Sequence, residues 1–220
     1  MQGGTTLPTD YYQPARSLIA NPVDYIAHEV EDPDYTSGGD CPLARRCRTA
    51  DVSRAQYAPG QAFSIGKIAR TTLLNSILAS DDTTYFQVDP INPAYRIVSE
   101  QATPIQGQVL NKVGRTTGWT QGTVVSTCEN IDVTDSDITQ LCQGLVDAFV
   151  DSGDSGSPVF GFNTDGTVFL GGILWGSNTD LVTNAVQFIF SPFGSIQREI
   201  GPLTVSDPLT TGGKKVKKPK

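Results

Sequence analysis

Short apolar runs separated by glycine or asparagine turns dominate the second half of the chain. From about Gly107 onward, six such segments follow one another: GQVLNKVGRTTG, TQGTVVSTCENIDV, GLVDAFV, SPVFGF, GTVFLGGILWG and AVQFIFSPF. Runs of this length, bounded by turn formers, predict the strands of an antiparallel barrel. The segment FGSIQREI, Phe193 to Ile200, instead has apolar residues at helical spacing, so it predicts a short C-terminal helix.

The first half of the chain has fewer uninterrupted apolar runs. Residues 1–60 are rich in turn formers, and the pattern from Ala62 to Ile77 fits either strands or a short helix. After it, DDTTYFQVDP and AYRIVSE predict a strand, a turn and a second strand. We therefore expect a mainly β chain in three parts, namely residues 1–104, the more regular residues 105–203 and a terminal segment, residues 204–220.

Composition agrees with a β-rich globular fold and argues against several functions. Charged residues are only 18% of the chain, with 22 glycines and 14 prolines, a balance typical of short strands joined by turns. No run of about 18 apolar residues occurs, which predicts no membrane span. The net charge is −7 although five basic residues lie in the terminal GGKKVKKPK, so the acidic body argues against nucleic-acid binding. We interpret the Lys-rich tail as disordered, with an anion-binding arm as the alternative.

The four cysteines form two local pairs, Cys41 with Cys47 and Cys128 with Cys142. Neither pair has the CxxC spacing of zinc sites, and with a single histidine in the chain we expect no metal site. Two disulfides formed in an oxidising compartment are the expectation, and four free thiols are the alternative. The start, MQGGTTLPTD, lacks the pattern of a secretory signal, so we expect that the natural protein begins further upstream.

The decapeptide DSGDSGSPVF, residues 151–160, contains the strongest candidate for a nucleophile. Its pentad from Gly153 to Ser157 ends in serine, so it does not match the GxSxG elbow of α/β-hydrolases and argues against an esterase of that type. The composition is also that of an ordinary surface turn. Except at Ser157, however, GDSGSP resembles the GDSGGP nucleophile segment of chymotrypsin-like serine peptidases.

Further segments resemble that family in the same order, particularly its streptogrisin-like bacterial members. They are LNKVGRTTGWTQGTV, GGILWG and FIFSPFGSIQ, so the resemblance covers about residues 107–201. It implies a chymotrypsin-like double antiparallel β-barrel whose N-terminal barrel is incomplete in this chain. Residues 1–104 would then be the remnant of the N-terminal barrel, and residues 105–203 the C-terminal barrel.

The resemblance also implies roles for individual residues. Ser155 would be the nucleophile, and the main-chain N–H groups of Gly153 and Ser155 would form the oxyanion hole. Asp154 would turn inward to an ion pair with a freed N-terminus. Leu174, Trp175 and Gly176 would offer main-chain groups to an extended polypeptide substrate, although Trp175 is equally well interpreted as a core aromatic.

A serine nucleophile of this kind needs a histidine base and a buried carboxylate that orients it. The segment CRTADVSRAQY resembles the family segment that contains the triad aspartate, which makes Asp51 the candidate, with a turn aspartate as the alternative. His28 is the only histidine. Acidic residues follow it and no strand-like runs precede it. We therefore expect an ordinary surface or structural histidine there and a catalytic histidine upstream of Met1, with His28 as an unusual base as the alternative.

Together these features predict a secreted serine endopeptidase that hydrolyses polypeptides through an acyl-enzyme. This chemistry needs no cofactor, and we expect neither a nucleic acid nor a membrane as partner. The alternative hypothesis is a catalytically inactive homologue that keeps the fold and binds peptides or proteins. The position of the histidine discriminates between the two.

Overall fold

The computed structural model describes residues 8–12, 24–72, 87–180 and 182–205. Within these ranges the chain forms strands and one short helix, which follow the apolar runs of the sequence. The elements are β1 (Asp10–Tyr12), β2 (Tyr25–Glu31), β3 (Arg46–Arg48), β4 (Arg54–Tyr57), β5 (Lys67–Ala69), β6 (Ala94–Glu100), β7 (Val109–Gly114), β8 (Gly118–Asp132), β9 (Ile138–Asp147), β10 (Pro158–Phe162), β11 (Val168–Thr179), β12 (Val186–Pro192) and α1 (Phe193–Ile200). The predictions of a mainly β fold and of a C-terminal helix are both confirmed.

The strands are arranged in two sheets. A three-stranded antiparallel sheet has the order β1-β2-β4, and a nine-stranded sheet has the order β10-β7-β8-β9-β12-β11-β6-β5, with β3 paired to β9. Because β10 also pairs with β11, six strands are hydrogen-bonded in a closed circuit. The division of the chain into two barrels stays a prediction.

Two strand pairs differ from the expected antiparallel pattern. β3 pairs with β9 in parallel, and so does β6 with β11. Parallel neighbours cannot be joined by a tight hairpin and need a long connection. Both pairs accordingly join a strand from the first half of the chain to one from the second half, which local sequence patterns do not predict.

The largest apolar cluster lies among the six strands of the circuit. Its members are fully or almost fully buried: Leu110, Val124, Val146, Ala148, Val150, Val159, Leu174, Phe188 and Phe190. Burying one such large aliphatic or aromatic side chain contributes about 1.5–3 kcal/mol. The turn that contains Ser155 therefore connects two strands of a closely packed circuit.

Helix α1 fixes the segment that contains Asp51. Its buried Ile196 packs against Ala50 and Val52, the two neighbours of Asp51 in the chain. The helix ends at Ile200, and Gly201 after it has a φ of 81°, a positive value that glycine adopts without strain. The terminal helix therefore holds Asp51 against the large sheet.

Both predicted disulfides are present, Cys41–Cys47 and Cys128–Cys142. The Lys-rich end of the tail, residues 206–220, lies outside the described residues, and so does the segment 73–86. That segment contains the end of the stretch 62–77, expected to be strands or a short helix, and the start of the strand expected in DDTTYFQVDP. In the part of the chain that is described, no helix has the length and apolar character needed to cross a lipid bilayer.

Candidate active site

The turn between β9 and β10 presents Ser155 at the surface. The turn is tied to β11 by two main-chain hydrogen bonds, from Gly156 N–H to the Leu174 carbonyl at 2.8 Å and from Leu174 N–H to the Ser157 carbonyl at 2.9 Å. The Ser155 hydroxyl is exposed and donates to the Trp175 carbonyl at 3.2 Å. A surface serine is therefore held in one place by a buried strand.

The same hydrogen bonds refine the role expected for Leu174. Both of its main-chain groups are engaged by the Ser155 turn, so they are not available to a peptide. β11 pairs with β10 up to Ile173 and with β12 as far as Thr179. Among the described strands, β11 therefore has a partner on one side only from Trp175 onward.

Asp154 does turn inward, but its partner is a lysine side chain rather than a chain terminus. The Asp154 carboxylate and the Lys112 ammonium are fully buried, and Lys112 Nζ lies 2.8 Å from Asp154 Oδ2. The carboxylate also accepts the Thr117 hydroxyl at 2.6 Å and the N–H groups of Thr116 and Thr117 at 2.7 and 3.1 Å. The expected ion pair with a freed N-terminus is thus replaced by an internal pair with Lys112.

These hydrogen bonds favour the charged form of Asp154. Burial by itself raises the pKa of a carboxyl group, but the hydrogen bonds from Lys112 and Thr117 outweigh it and hold the pKa of Asp154 below its ordinary value. The close approach depends on Gly114 of β7, since a Cβ atom there would lie 2.4 Å from Asp154 Oδ1. The turn that contains Ser155 is therefore anchored by a buried ion pair, and at position 114 only glycine leaves room for it.

Gly153 has a backbone conformation that only glycine adopts without strain. Its φ is 97°, and a Cβ atom would lie 2.5 Å from Thr116 Oγ1, so any other residue is strained there. Within the described part of the chain, the N–H groups of Gly153 and Ser155 have no acceptor. Two unpaired donors thus lie beside the Ser155 hydroxyl.

Asp51 lies in the site but is engaged by an arginine. Arg48 Nη2 is 2.8 Å from Asp51 Oδ1, and Arg48 Nη1 is 2.7 Å from Asp32 Oδ1. The guanidinium also lies over the Tyr35 ring, 4.3 Å from its centroid. Burial by itself lowers the pKa of Arg48. The hydrogen bond to Asp32 and the nearby acidic groups outweigh burial and hold the pKa of Arg48 above its ordinary value. A single buried guanidinium therefore pairs with both Asp51 and Asp32.

A cavity of about 860 Å³ separates the three-stranded sheet from the large sheet, and both Ser155 and Asp51 line it. Glu29 of β2 also lines the cavity, whereas its neighbour His28 does not. Successive side chains of a strand point to opposite faces, and His28 Nδ1 lies 3.2 Å from the Tyr25 hydroxyl. His28 therefore lies on the face of β2 opposite to Glu29, and its role stays a prediction.

Sequence reasoning missed Lys112 and Arg48. Lys112 could have been noticed because it stands inside the apolar run of a predicted strand. A lysine at such a position is often buried, and a buried ammonium needs a partner. Arg48 gave no comparable signal. Among the described residues, no cluster of three or more histidine, cysteine or acidic side chains is placed to hold a metal ion.

The fold is similar to that of bacterial serine proteases of known structure. A glutamic acid specific serine protease that utilizes a novel histidine triad in substrate binding aligns with a TM-score of 0.51 and 21% identity, over 80% of this chain and 72% of that one. Cellulomonas bogoriensis chymotrypsin aligns with a TM-score of 0.49 and 15% identity, over 80% and 73% of the two chains. Thermobifida fusca protease A aligns with a TM-score of 0.48 and 17% identity, over 80% and 76%.

The first of these similarities establishes a chymotrypsin-like serine protease fold, as the sequence motifs predict. At 21% identity it establishes the fold alone. No protein-family model matches the sequence, and no curated protein matches it.

Proposed function

We propose that this protein is a serine endopeptidase in which Ser155 attacks the carbonyl carbon of a peptide bond. The observation that carries the proposal is the turn from Gly153 to Ser157. It exposes a serine hydroxyl beside two unpaired N–H donors and is anchored by the buried Asp154 carboxylate. Burying an ion pair costs desolvation energy, and the role proposed for this pair is to hold the Ser155 turn in one conformation.

In the proposed reaction the Ser155 oxygen bonds to the carbonyl carbon and its proton passes to a general base. The N–H groups of Gly153 and Ser155 donate to the negative oxygen of the tetrahedral intermediate. The base then protonates the leaving amine, and the C–N bond breaks to give an acyl-enzyme. Water hydrolyses this ester by the same steps, so no cofactor enters.

The polypeptide substrate is proposed to pair with the open edge of β11 as an added strand. Trp175 and Gly176 supply the main-chain groups of this edge, while Leu174 holds the nucleophile turn in place. These 220 residues contain a single histidine, so they do not by themselves supply a set of three. No nucleic acid or membrane takes part in the proposed reaction.

The general base in this proposal is an imidazole, and Asp51 is the carboxylate that orients it. His28 does not line the cavity that Ser155 and Asp51 share, and it is the only histidine in the sequence. We therefore propose that the imidazole is not among these 220 residues. The cavity of about 860 Å³ leaves space for one.

We also propose that residues 105–203 form the C-terminal barrel and residues 1–104 contribute to an N-terminal barrel. The closed circuit of six strands, all within residues 105–203, supports the first assignment. The two disulfides support secretion, since disulfides persist in oxidising surroundings.

Hydrolysis of fluorescently labelled casein with increasing imidazole tests this function. We expect a rate that rises with imidazole and is abolished in Ser155→Ala. Ser152→Ala is the matched control, because Ser152 is exposed in the same turn and should retain the full rate. An imidazole-dependent rate that survives in Ser155→Ala would refute the assignment.

A second candidate function is peptide binding by an inactive homologue. The observation that favours it is the ion pair between Asp51 and Arg48, which occupies the carboxylate that would orient an imidazole. This function predicts that casein is not cleaved at any imidazole concentration, while an immobilised Ser155→Ala variant retains extended peptides as well as the wild type does.

A further inference from the structure

Gln143 is a polar side chain with no exposed surface, and all of its hydrogen-bonding capacity is used. It lies on β9 and is 0% exposed. Its Nε2 donates to the carbonyls of Thr49 and Leu141 at 2.9 and 2.7 Å. Its Oε1 accepts the Trp175 indole N–H at 2.8 Å and the Ser191 hydroxyl at 2.9 Å.

The orientation of this amide is dictated by its partners. Exchanging the oxygen and nitrogen of Gln143 would place its NH2 against the indole N–H of Trp175, and its oxygen against the carbonyl oxygens of Thr49 and Leu141. A carbonyl oxygen cannot donate and an indole N–H cannot accept, so only the observed orientation satisfies the indole and the two carbonyls. The side chain can therefore hold its neighbours in one arrangement.

Gln143 links two residues of the candidate site that are distant in sequence. The Ser191 hydroxyl, which donates to Gln143, accepts the N–H of Asp51 at 2.9 Å. Gln143 also holds the carbonyl of Thr49, two residues before Asp51. One amide thus joins the backbone around Asp51 to the indole of Trp175, whose carbonyl accepts the Ser155 hydroxyl.

We propose that Gln143 is a positioning residue of the active site. It fixes the backbone around Asp51, on one wall of the cavity, relative to Trp175 of β11, on another wall. The inference rests on the proposed function for the roles of Asp51 and Trp175. Gln143 touches neither the substrate nor the reacting atoms. It acts by keeping two walls of one site at a fixed separation.

The fluorescence of Trp175 reports this link without requiring activity. The chain contains two tryptophans, so Trp119→Phe leaves Trp175 as the only tryptophan. In this background we expect Gln143→Met to shift the emission to longer wavelength and to increase quenching by acrylamide. Gln140→Met is the matched control, because Gln140 lies on the same strand and is 1% exposed. It should leave the emission of Trp175 unchanged.

A pH-dependent rescue separates positioning from simple packing. A glutamate at position 143 keeps both acceptor bonds, but it can donate to a carbonyl only when it is protonated. We expect the Trp175 emission of Gln143→Glu to approach that of Gln143 as the pH falls, whereas the emission of Gln143→Met does not respond. If Gln143→Met does not fold, Gln143→Glu and Ser191→Ala provide the same comparison.

A second experiment measures the rate at which a fluorophosphonate labels Ser155 in the presence of imidazole. We expect Gln143→Met to slow labelling roughly tenfold to a hundredfold, the cost of a displacement of about 1 Å in an active site. Equal effects of Gln143→Met and Gln140→Met on both emission and labelling would overturn the proposal. If even the Trp119→Phe parent is not labelled, the proposed function fails, and the emission data still decide whether Gln143 fixes Trp175.

Discussion

Replacing Lys112 by methionine removes the ammonium group that faces Asp154 and leaves a carboxylate inside the protein. Both side chains are 0% exposed, and their charged atoms lie 2.8 Å apart. Removing one partner of a buried ion pair costs about 3–5 kcal/mol. Asp154 keeps its hydrogen bonds from Thr116 and Thr117, so we expect the lower end, about 3 kcal/mol. For a chain of this length that corresponds to a fall in Tm of roughly 6–12 °C.

The same change should reverse the contribution of Asp154 to the pH dependence of stability. In the wild type the pKa of Asp154 lies below its ordinary value, so its stabilisation is present above the unfolded pKa of about 3.9 and is lost as the pH falls through the folded pKa. Without Lys112 we expect burial to outweigh the remaining hydrogen bonds from Thr116 and Thr117 and so to raise the pKa of Asp154. The variant then gains stability as the pH falls through that raised value, and the difference from the wild type narrows in acid.

Urea denaturation followed by circular dichroism at pH 7 and at pH 4 measures both effects. Lys67→Met is the control, because it makes the same substitution at an exposed lysine of β5 and should change stability by less than about 0.5 kcal/mol. Adding Asp154→Asn to Lys112→Met should restore part of the loss, since the uncompensated charge is gone. The reasoning is refuted if Lys112→Met and Lys67→Met are equally stable at pH 7.

Two further substitutions test the turn and the cavity. Gly153→Ala forces a side chain into a backbone with φ of 97° and against Thr116. We expect the rate of fluorophosphonate labelling to fall by about 10²–10³, the cost of a lost oxyanion donor. A loss below threefold would contradict the role of Gly153. Arg48→Met leaves the carboxylate of Asp51 without its 2.8 Å partner. We expect the free energy of unfolding, obtained from urea denaturation, to fall by about 3 kcal/mol. Arg54→Met, which breaks an exposed ion pair, should cost at most about 1 kcal/mol, and equal losses would show that Arg48 is not a structural cation.

Local patterns in the sequence were sufficient for the features that depend on neighbours in the chain. The bounds of α1 follow from apolar residues at helical spacing before Gly201, and β6 follows from the apolar run AYRIVSE. Both disulfides close short loops, with separations of 6 and 14 residues. In each case the residues that determine the structure lie close together in sequence.

Features that depend on distant pairs were not predicted. Asp154 pairs with Lys112, 42 residues away, and β3 pairs with β9 in parallel, Arg46 opposite Ile138, across more than twice that separation. The composition of a segment does not specify which distant group reaches it. The family resemblance placed Asp154 inside the protein but assigned it the wrong partner, because the cation that meets the carboxylate comes from another strand.

The most direct test of the account is the mass of the intact protein after exposure to a fluorophosphonate in the presence of imidazole, followed by peptide mapping. We expect a single adduct, on Ser155, that forms faster as imidazole is added and is absent from Ser155→Ala. An unmodified protein at every imidazole concentration, or an adduct that persists in Ser155→Ala, would contradict the claim that Ser155 is a catalytic nucleophile.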